Sequence, residues 1–454
     1  MTTCTSRAAW LNLLRRLHFY IGLFIGPFIF VAALTGTLYV ATPQLENWLY
    51  QDALHGSLSG DRQPLSAQLA VAEEATQGNL RLQAVRPAIA AGETTRVMFA
   101  DPQLGESETR AIFIDPVTLK VTGDMPVYGT SGILPLRQWI DYAHRSLLLG
   151  DSGRLYSELA ASWMWVAALG GIILWAMTRP RKRIDNRMQN SRRLHVSLGW
   201  ALLAGMLLFS ATGLTWSQWA GGNVDKMRAA FGWLTPQVNT QLHSVMPMSH
   251  DPHAEHHMGH MTEAVLAPKN EQFDRVLAAA RAAGLDANKL EIRPPAAAGR
   301  AWTVNEIDRS WPTQVDAVAV DGENMQIVDR TRFADFPLMA KLTRWGVDFH
   351  MGILFGLANQ LLLIAFGIAL CVMIVVGYRL WWIRRPAHAA FNPANTLIQA
   401  WLNLEWPARV ITLAGAMMLG LALPLMGASL ASGLLIDYLR WRAATTVLLA
   451  KSVD

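Results

Sequence analysis

Four histidines fall into two matched settings. His18 stands in LRRLHFYIG, from Leu14 to Gly22, and His195 in SRRLHVSLG, from Ser191 to Gly199. The same offset of 177 residues relates Thr35-Gly36 to Thr212-Gly213. His144 in WIDYAHRSLLLG, from Trp139, matches His350 in WGVDFHMGILFG, from Trp345, at an offset of 206, with the shared pattern W-x4-H-x3-L-x-G. That offset also lays Asp115 of FIDPVTLKV over Asp321 of AVDGENMQI. Each histidine adjoins a long apolar run. An imidazole in or near a bilayer is uncommon and faces the bundle interior or a partner, and its neutral ring nitrogen is a usual ligand of b-type haem iron. Two histidines on facing helices can clamp one haem, so the pairs His18/His195 and His144/His350 would hold two haems b. The competing reading is a polar side chain at the membrane interface, with the nearby tryptophans as an aromatic belt.

A second group of metal-binding side chains lies in HSVMPMSHDPHAEHHMGHM, residues 243–261. It offers His243, His250, His253, His256, His257 and His260 with Met246, Met248, Met258 and Met261. In a helix, His253/His257 and His256/His260 would share a face, but Pro252 and Gly259 oppose one. Imidazoles suit copper, zinc, nickel or iron, and thioethers select Cu(I). The segment is expected to contact a transition metal (copper, iron or zinc); the alternative is a solvated loop with incidental histidines.

The elements that must carry these groups follow from charge and hydropathy. The 454-residue chain is 52% hydrophobic and only 16% charged, against about 25% charged in a soluble protein. Leu17–Leu45, Leu159–Thr178, Leu194–Val224, Phe349–Tyr378 and Val410–Ile436 contain no Asp, Glu, Lys or Arg. A bilayer core needs about 20 helical residues, so each run can span. The first is too long for the h-region of a signal peptide and is read as a retained anchor. Arg7, Arg15 and Arg16, then seven basic residues in Arg179–Arg193, then Arg379, Arg384 and Arg385 fall on one side if spans alternate. Basic short loops stay cytoplasmic, which places the N-terminus inside.

The expected organisation is a cytoplasmic segment 1–18, spans at 19–41, 158–178, 194–220 and 349–380, and outside modules at 46–150 and 225–345. A basic loop, 179–193, a cytoplasmic segment, 384–408, and a fifth span or helical hairpin, 409–438, complete it. Pro424 and Gly427 mark where the hairpin would break. Each outside module reads as α+β: a helix at Leu65–Gln77 or Glu271–Ala283, then alternating strands such as Trp302 and Val304. The second copy carries 29 more residues than the first, where the His/Met segment falls. Cys4 and Cys371 lie too far apart along the topology to form a disulfide. No C-x-x-C-H, phosphate-binding loop, nucleophile elbow or dinucleotide fingerprint occurs. The net charge of +5 resides mostly in the membrane anchors and implies lipid, with no nucleic acid.

R-R-L-H-x3-G, F-I-D-P-x-T, W-x4-H-x3-L-x-G and the late LPLMGASL together resemble the PepSY-associated transmembrane family over nearly the whole chain. The resemblance implies a membrane α-helical bundle, a duplicated span–PepSY–span unit with two small α+β periplasmic PepSY domains. It also implies haem ligation by His18, His144, His195 and His350, since members include inner-membrane ferric-siderophore reductases of the FoxB type. The expected activity is electron transfer from quinol or a cytoplasmic donor to a ferric siderophore or other metal chelate in the periplasm. A periplasmic copper reductase, and a non-enzymatic protein whose PepSY modules bind or inhibit a protease, are the alternatives.

Overall fold

The computed structural model describes residues 6–178, 187–242, 268–385 and 392–451. The His/Met-rich segment 243–261 lies outside the described residues, as do 179–186 of the basic loop. In chain order, α1 (Ser6–Tyr20) passes through one π-helical turn, Ile21–Ile25, into α2 (Gly26–Val40). Then come α3 (Thr42–Leu49), α4 (Gln51–Leu54), α5 (Leu65–Ala75), β1 (Arg81–Arg86), β2 (Thr95–Ala100), β3 (Glu108–Ile114), β4 (Val121–Tyr128), α6 (Pro135–Ser146) and α7 (Gly150–Met177). The second copy comprises α8 (Arg187–Thr215), α9 (Ala220–Ala230), α10 (Asn270–Ala282), β5 (Leu290–Arg293), β6 (Trp302–Glu306), β7 (Ala317–Val320), β8 (Ile327–Thr331), α11 (Leu338–His350) and α12 (Gly356–Arg384). Three helices close the described chain: α13 (Leu397–Leu402), α14 (Trp406–Ala422) and α15 (Pro424–Lys451).

Two compact units result. The helical unit takes residues 1–38, 141–230 and 361–454. Four stretches are long and apolar enough to cross a membrane: Ser6–Val40, Gly150–Met177, Met188–Thr215 and Gly356–Arg384. Ile29, Met164, Leu202, Met206 and Leu370 form a core among them. The fifth apolar run of the sequence is divided. α14 stops at Ala422, and Pro424, whose missing N–H is no loss at a helix start, opens α15. The two helices approach so closely that a Cβ on Gly427 would lie 2.8 Å from Gly420 Cα.

The sheet-bearing unit takes residues 39–140 and 231–360. The sequence suggests two separate α+β modules; their strands in fact form one eight-stranded antiparallel sheet, in the order β4-β3-β2-β1-β5-β6-β7-β8. The join is the β1–β5 ladder, with Val85 opposite Ile292. Pairing the two inner edges removes the exposed edge each module would otherwise present. Period-two alternation sorts the side chains: Val97, Phe99, Ile112 and Ile114 pack under α5 and α10, while Met98, Ala111 and Phe113 face Ala53, Val127 and Leu134 on the other side. The second helix also caps the first. Asp274 of α10 accepts the Leu65 and Ser66 N–H groups at 2.7 and 2.9 Å, satisfying donors that open α5.

The internal repeat is visible in the hairpins. Asp115 N–H donates to the Lys120 carbonyl and Asp321 N–H to that of Gln326, both at 2.9 Å. Leu119 and Met325 take the same left-handed backbone, at φ +60° and +62°. Burial disfavours charge on Asp115, but hydrogen bonds from Ser57, the Val117 N–H and Thr118 outweigh it and hold its carboxyl down at about 2.

Candidate functional site

The helical unit brings His18 of α1 and His195 of α8 together. Their ring centres are 6.4 Å apart and their planes meet at 76°. His195 Nδ1 lies 3.0 Å from the Met373 carbonyl of α12. A carbonyl can only accept, so Nδ1 carries the proton and Nε2 keeps its lone pair. On His18, Nδ1 is buried and makes no hydrogen bond of ordinary geometry; the Ala167 carbonyl of α7 acts on the ring, and a Cβ on Gly170 would be 4.0 Å from Nδ1.

This donor set fits one metal held between two imidazoles. If the two imidazoles stood on opposite sides of one metal, a metal–nitrogen distance of about 2.0 Å plus about 1.1 Å to each ring centre would separate the rings by about 6.2 Å. The observed 6.4 Å matches. The protonated Nδ1 of His195 held by a backbone carbonyl is the arrangement that fixes ring orientation for ligation through the other nitrogen.

Glycine backs each ring. A Cβ on Gly171 of α7 would stand 3.1 Å from His18 Cε1, and one on Gly377 of α12 would stand 3.4 Å from His195 Cε1. The π-helical turn begins three residues after His18, and such turns recur at functional sites. Nearby, the buried Asp437 of α15 accepts the Tyr20 hydroxyl at 2.6 Å and the Ile398 N–H at 2.8 Å. That contact ties the C-terminal helices to α1 two residues beyond His18.

His144 has the same kind of support. It lies on α6, with Nδ1 3.0 Å from Thr35 Oγ1. Thr35 donates its own proton to the Val31 carbonyl at 2.7 Å, so its oxygen accepts the His144 Nδ1–H and Nε2 again keeps its lone pair. A Cβ on Gly36 would be 3.1 Å from His144 Cε1. The Tyr156 hydroxyl of α7 donates to the His144 carbonyl and holds the end of α6. Seventeen residues of nearly continuous helix separate His18 from Thr35, about 25 Å of rise.

His350 ends α11 in the sheet-bearing unit, whereas His144 belongs to the helical unit. The turn after His350 is fixed locally. Asp348, fully buried, takes Arg309 Nε at 2.7 Å and Arg344 Nε at 3.0 Å, and Asn359 donates to the Phe349 carbonyl at 3.1 Å. The nine His and Met residues expected to bind a metal in the insert (His243, His250, His253, His256, His257, His260, Met246, Met248 and Met258) lie outside the described residues. Among the described residues no cluster of three or more His, Cys, Asp or Glu side chains is placed to hold a metal ion. His55 lines a surface depression with Asp52, Asp115 and Lys120, where the Asp115 carboxylate is committed to its turn.

A family model described as the PepSY-associated TM region matches residues 15–384. The chain belongs to this family. The match takes in all four repeat-paired histidines and ends with α12, leaving α14 and α15 of this PepSY-associated TM protein beyond it. No curated protein matches the chain. Sequence reasoning passed over the residues that hold the histidines of this PepSY-associated TM protein. Gly36 stood in the repeat without a role, Gly170-Gly171 and Gly377 had no visible partner, and Met373 acts through its backbone.

Proposed function

We propose that this membrane protein is a di-haem b oxidoreductase that carries electrons across the bacterial inner membrane to a periplasmic ferric siderophore. The observation that carries the reading is the 6.4 Å separation of the His18 and His195 rings, with His195 Nδ1 held by Met373. His18 and His195 would hold one haem and His144 and His350 the other, the second pair resting on the repeat. A haem bound by such a pair supplies a one-electron ferric/ferrous couple. The chain's own part is to fix the tautomers of His195 and His144, back His18, His195 and His144 with glycine and keep the span between the sites apolar. The basic segments support a reading in which the His18/His195 end faces the cytoplasm.

The donor would be quinol, which gives two electrons and two protons, or a cytoplasmic reductant; each ferric chelate takes one electron. Reduction releases iron because Fe(II) binds hard oxygen chelators more weakly than Fe(III). The Met/His segment 243–261 favours a second reading, in which a copper chelate is the acceptor and thioethers take Cu(I).

The test is a pyridine haemochrome assay and a reduced-minus-oxidised spectrum of the purified chain, beside H18A, H195A, H144A and H350A. Two haems per wild-type chain are expected, with one lost in each variant. In oriented proteoliposomes each variant should also stop reduction of an external ferric siderophore by an internal donor. A well-folded, haem-free wild type would overturn the reading.

A further inference from the structure

Arg137, at the start of α6, carries an unused guanidinium edge in a buried place. The residue is 8% exposed. Its Cζ sits 4.4 Å from the centre of the Tyr39 ring. Its Nη1 is 3.9 Å from Glu46 Oε2, too far for a hydrogen bond. Nε and Nη2 have no partner. Neighbouring arginines of the same unit are not left this way. Arg86 reaches Glu291 at 2.7 Å and the Ser131 and Thr130 carbonyls at 2.9 and 2.6 Å. Arg96 reaches the Gly132 carbonyl at 2.9 Å. Buried polar groups are almost always satisfied, so two open donors on one buried cation mark a missing acceptor.

The open edge has a defined shape. Nε–H and Nη2–H point the same way and match the two oxygens of a carboxylate. Arg110 uses this edge on Asp124, Nε to Oδ1 at 2.9 Å and Nη2 to Oδ2 at 2.6 Å. Glu291 is paired with Arg86 and Arg293, Arg96 interacts with both Glu46 and Glu93, and Glu46 lies 3.9 Å from Arg137 Nη1. Arg137 also lies in the first turn of α6, where the helix dipole favours an anion.

We propose that the Nε/Nη2 edge of Arg137 binds a carboxylate of a ligand held by this protein. Two sources carry that group. One is a haem propionate, and that arm rests on the haem reading, since Arg137 lies seven residues before His144 in α6. The other is a carboxylate of the metal chelate, which needs no haem.

The experiment uses the full chain in nanodiscs: wild type, R137K, which keeps the charge but loses the fork, and R137Q. Haem content, midpoint potential and calorimetric binding of iron-free citrate are measured on each. Losing a bidentate charge-assisted pair weakens binding by at least about tenfold. If wild type binds citrate and both variants bind it at least tenfold more weakly, the chelate is the source. If citrate is not bound but both variants lower haem content or shift the potential, the propionate is the source. If neither variant changes either property, the proposal is overturned while a haem-containing wild type leaves the haem reading intact. A haem-free wild type with Arg137-dependent citrate binding keeps the proposal and overturns the haem reading. Should the variants fail to fold, wild type reconstituted with haem dimethyl ester replaces them: equal affinity for ester and free acid, without citrate binding, overturns the proposal.

Discussion

Replacing Gly171 with alanine should loosen the hold of His18 on its ligand. The new Cβ would lie 3.1 Å from His18 Cε1, whereas carbon atoms rest at about 3.5–4.0 Å. The imidazole must retreat by at least about 0.4 Å, and a metal–ligand distance tolerates only about 0.2 Å. Gly377→Ala supplies the comparison. Its Cβ would stand 3.4 Å from His195 Cε1, a displacement of about 0.1 Å that the site absorbs. Overpacking of the first kind costs about 1–3 kcal/mol, or roughly 5- to 150-fold in haem affinity. Haem titration followed by the reduced-minus-oxidised spectrum reads the affinity, and electron paramagnetic resonance reads the fraction that has lost one axial histidine. Gly171→Ala should show both effects and Gly377→Ala neither. A Gly171→Val protein with wild-type haem content, spectrum and folding would refute the reasoning, because its side chain reaches further toward the ring.

Thr35→Val should destabilise the folded chain by about 0.5–1.5 kcal/mol by removing the hydroxyl 3.0 Å from His144 Nδ1 while the Ala32 carbonyl remains as a second acceptor, and Thr35→Ser should restore it; thermal unfolding and haem content check both. Deleting residues 243–261 should leave the haem spectrum unchanged and weaken binding of copper, iron or zinc in equilibrium dialysis, and loss of haem would count against it. Asp115 stabilises the folded state only while ionised. Its folded value is lowered to about 2, so its contribution is complete above the ordinary carboxylate range and is lost as pH falls toward 2. Asp115→Asn should flatten the decline in unfolding temperature between pH 5 and 2, and an unchanged slope would show that the turn is not the source.

What could be read before folding was whatever repeats or excludes charge. The four spans are legible because no Asp, Glu, Lys or Arg interrupts their apolar centres. Pro424 announced the break between α14 and α15. Trp302 and Val304 alternated as strand residues do, and both stand in β6. The fused sheet was not legible, since Val85 and Ile292 pair across both copies with no local signal. The support of the histidines was hidden for a different reason: a glycine's role in packing comes from what presses against it, and Met373 contributes a carbonyl that every residue has. Arg137 read as one more basic residue near a helix start, because an unused guanidinium edge exists only once its neighbours have chosen other partners.

The β1–β5 ladder has a consequence for how the chain is made. Val85 meets Ile292, so the first module's inner edge waits for some 207 residues of synthesis, about 10–40 s at the usual rate of translation. Through that interval β1 is an open template, and any extended segment nearby can take the place reserved for β5. Every residue inserted between the copies lengthens the wait without altering the finished sheet. The gap between the repeats thus acts as a maturation delay, and nascent chains halted before Leu290 should be far more prone to self-association than chains released just past Arg293.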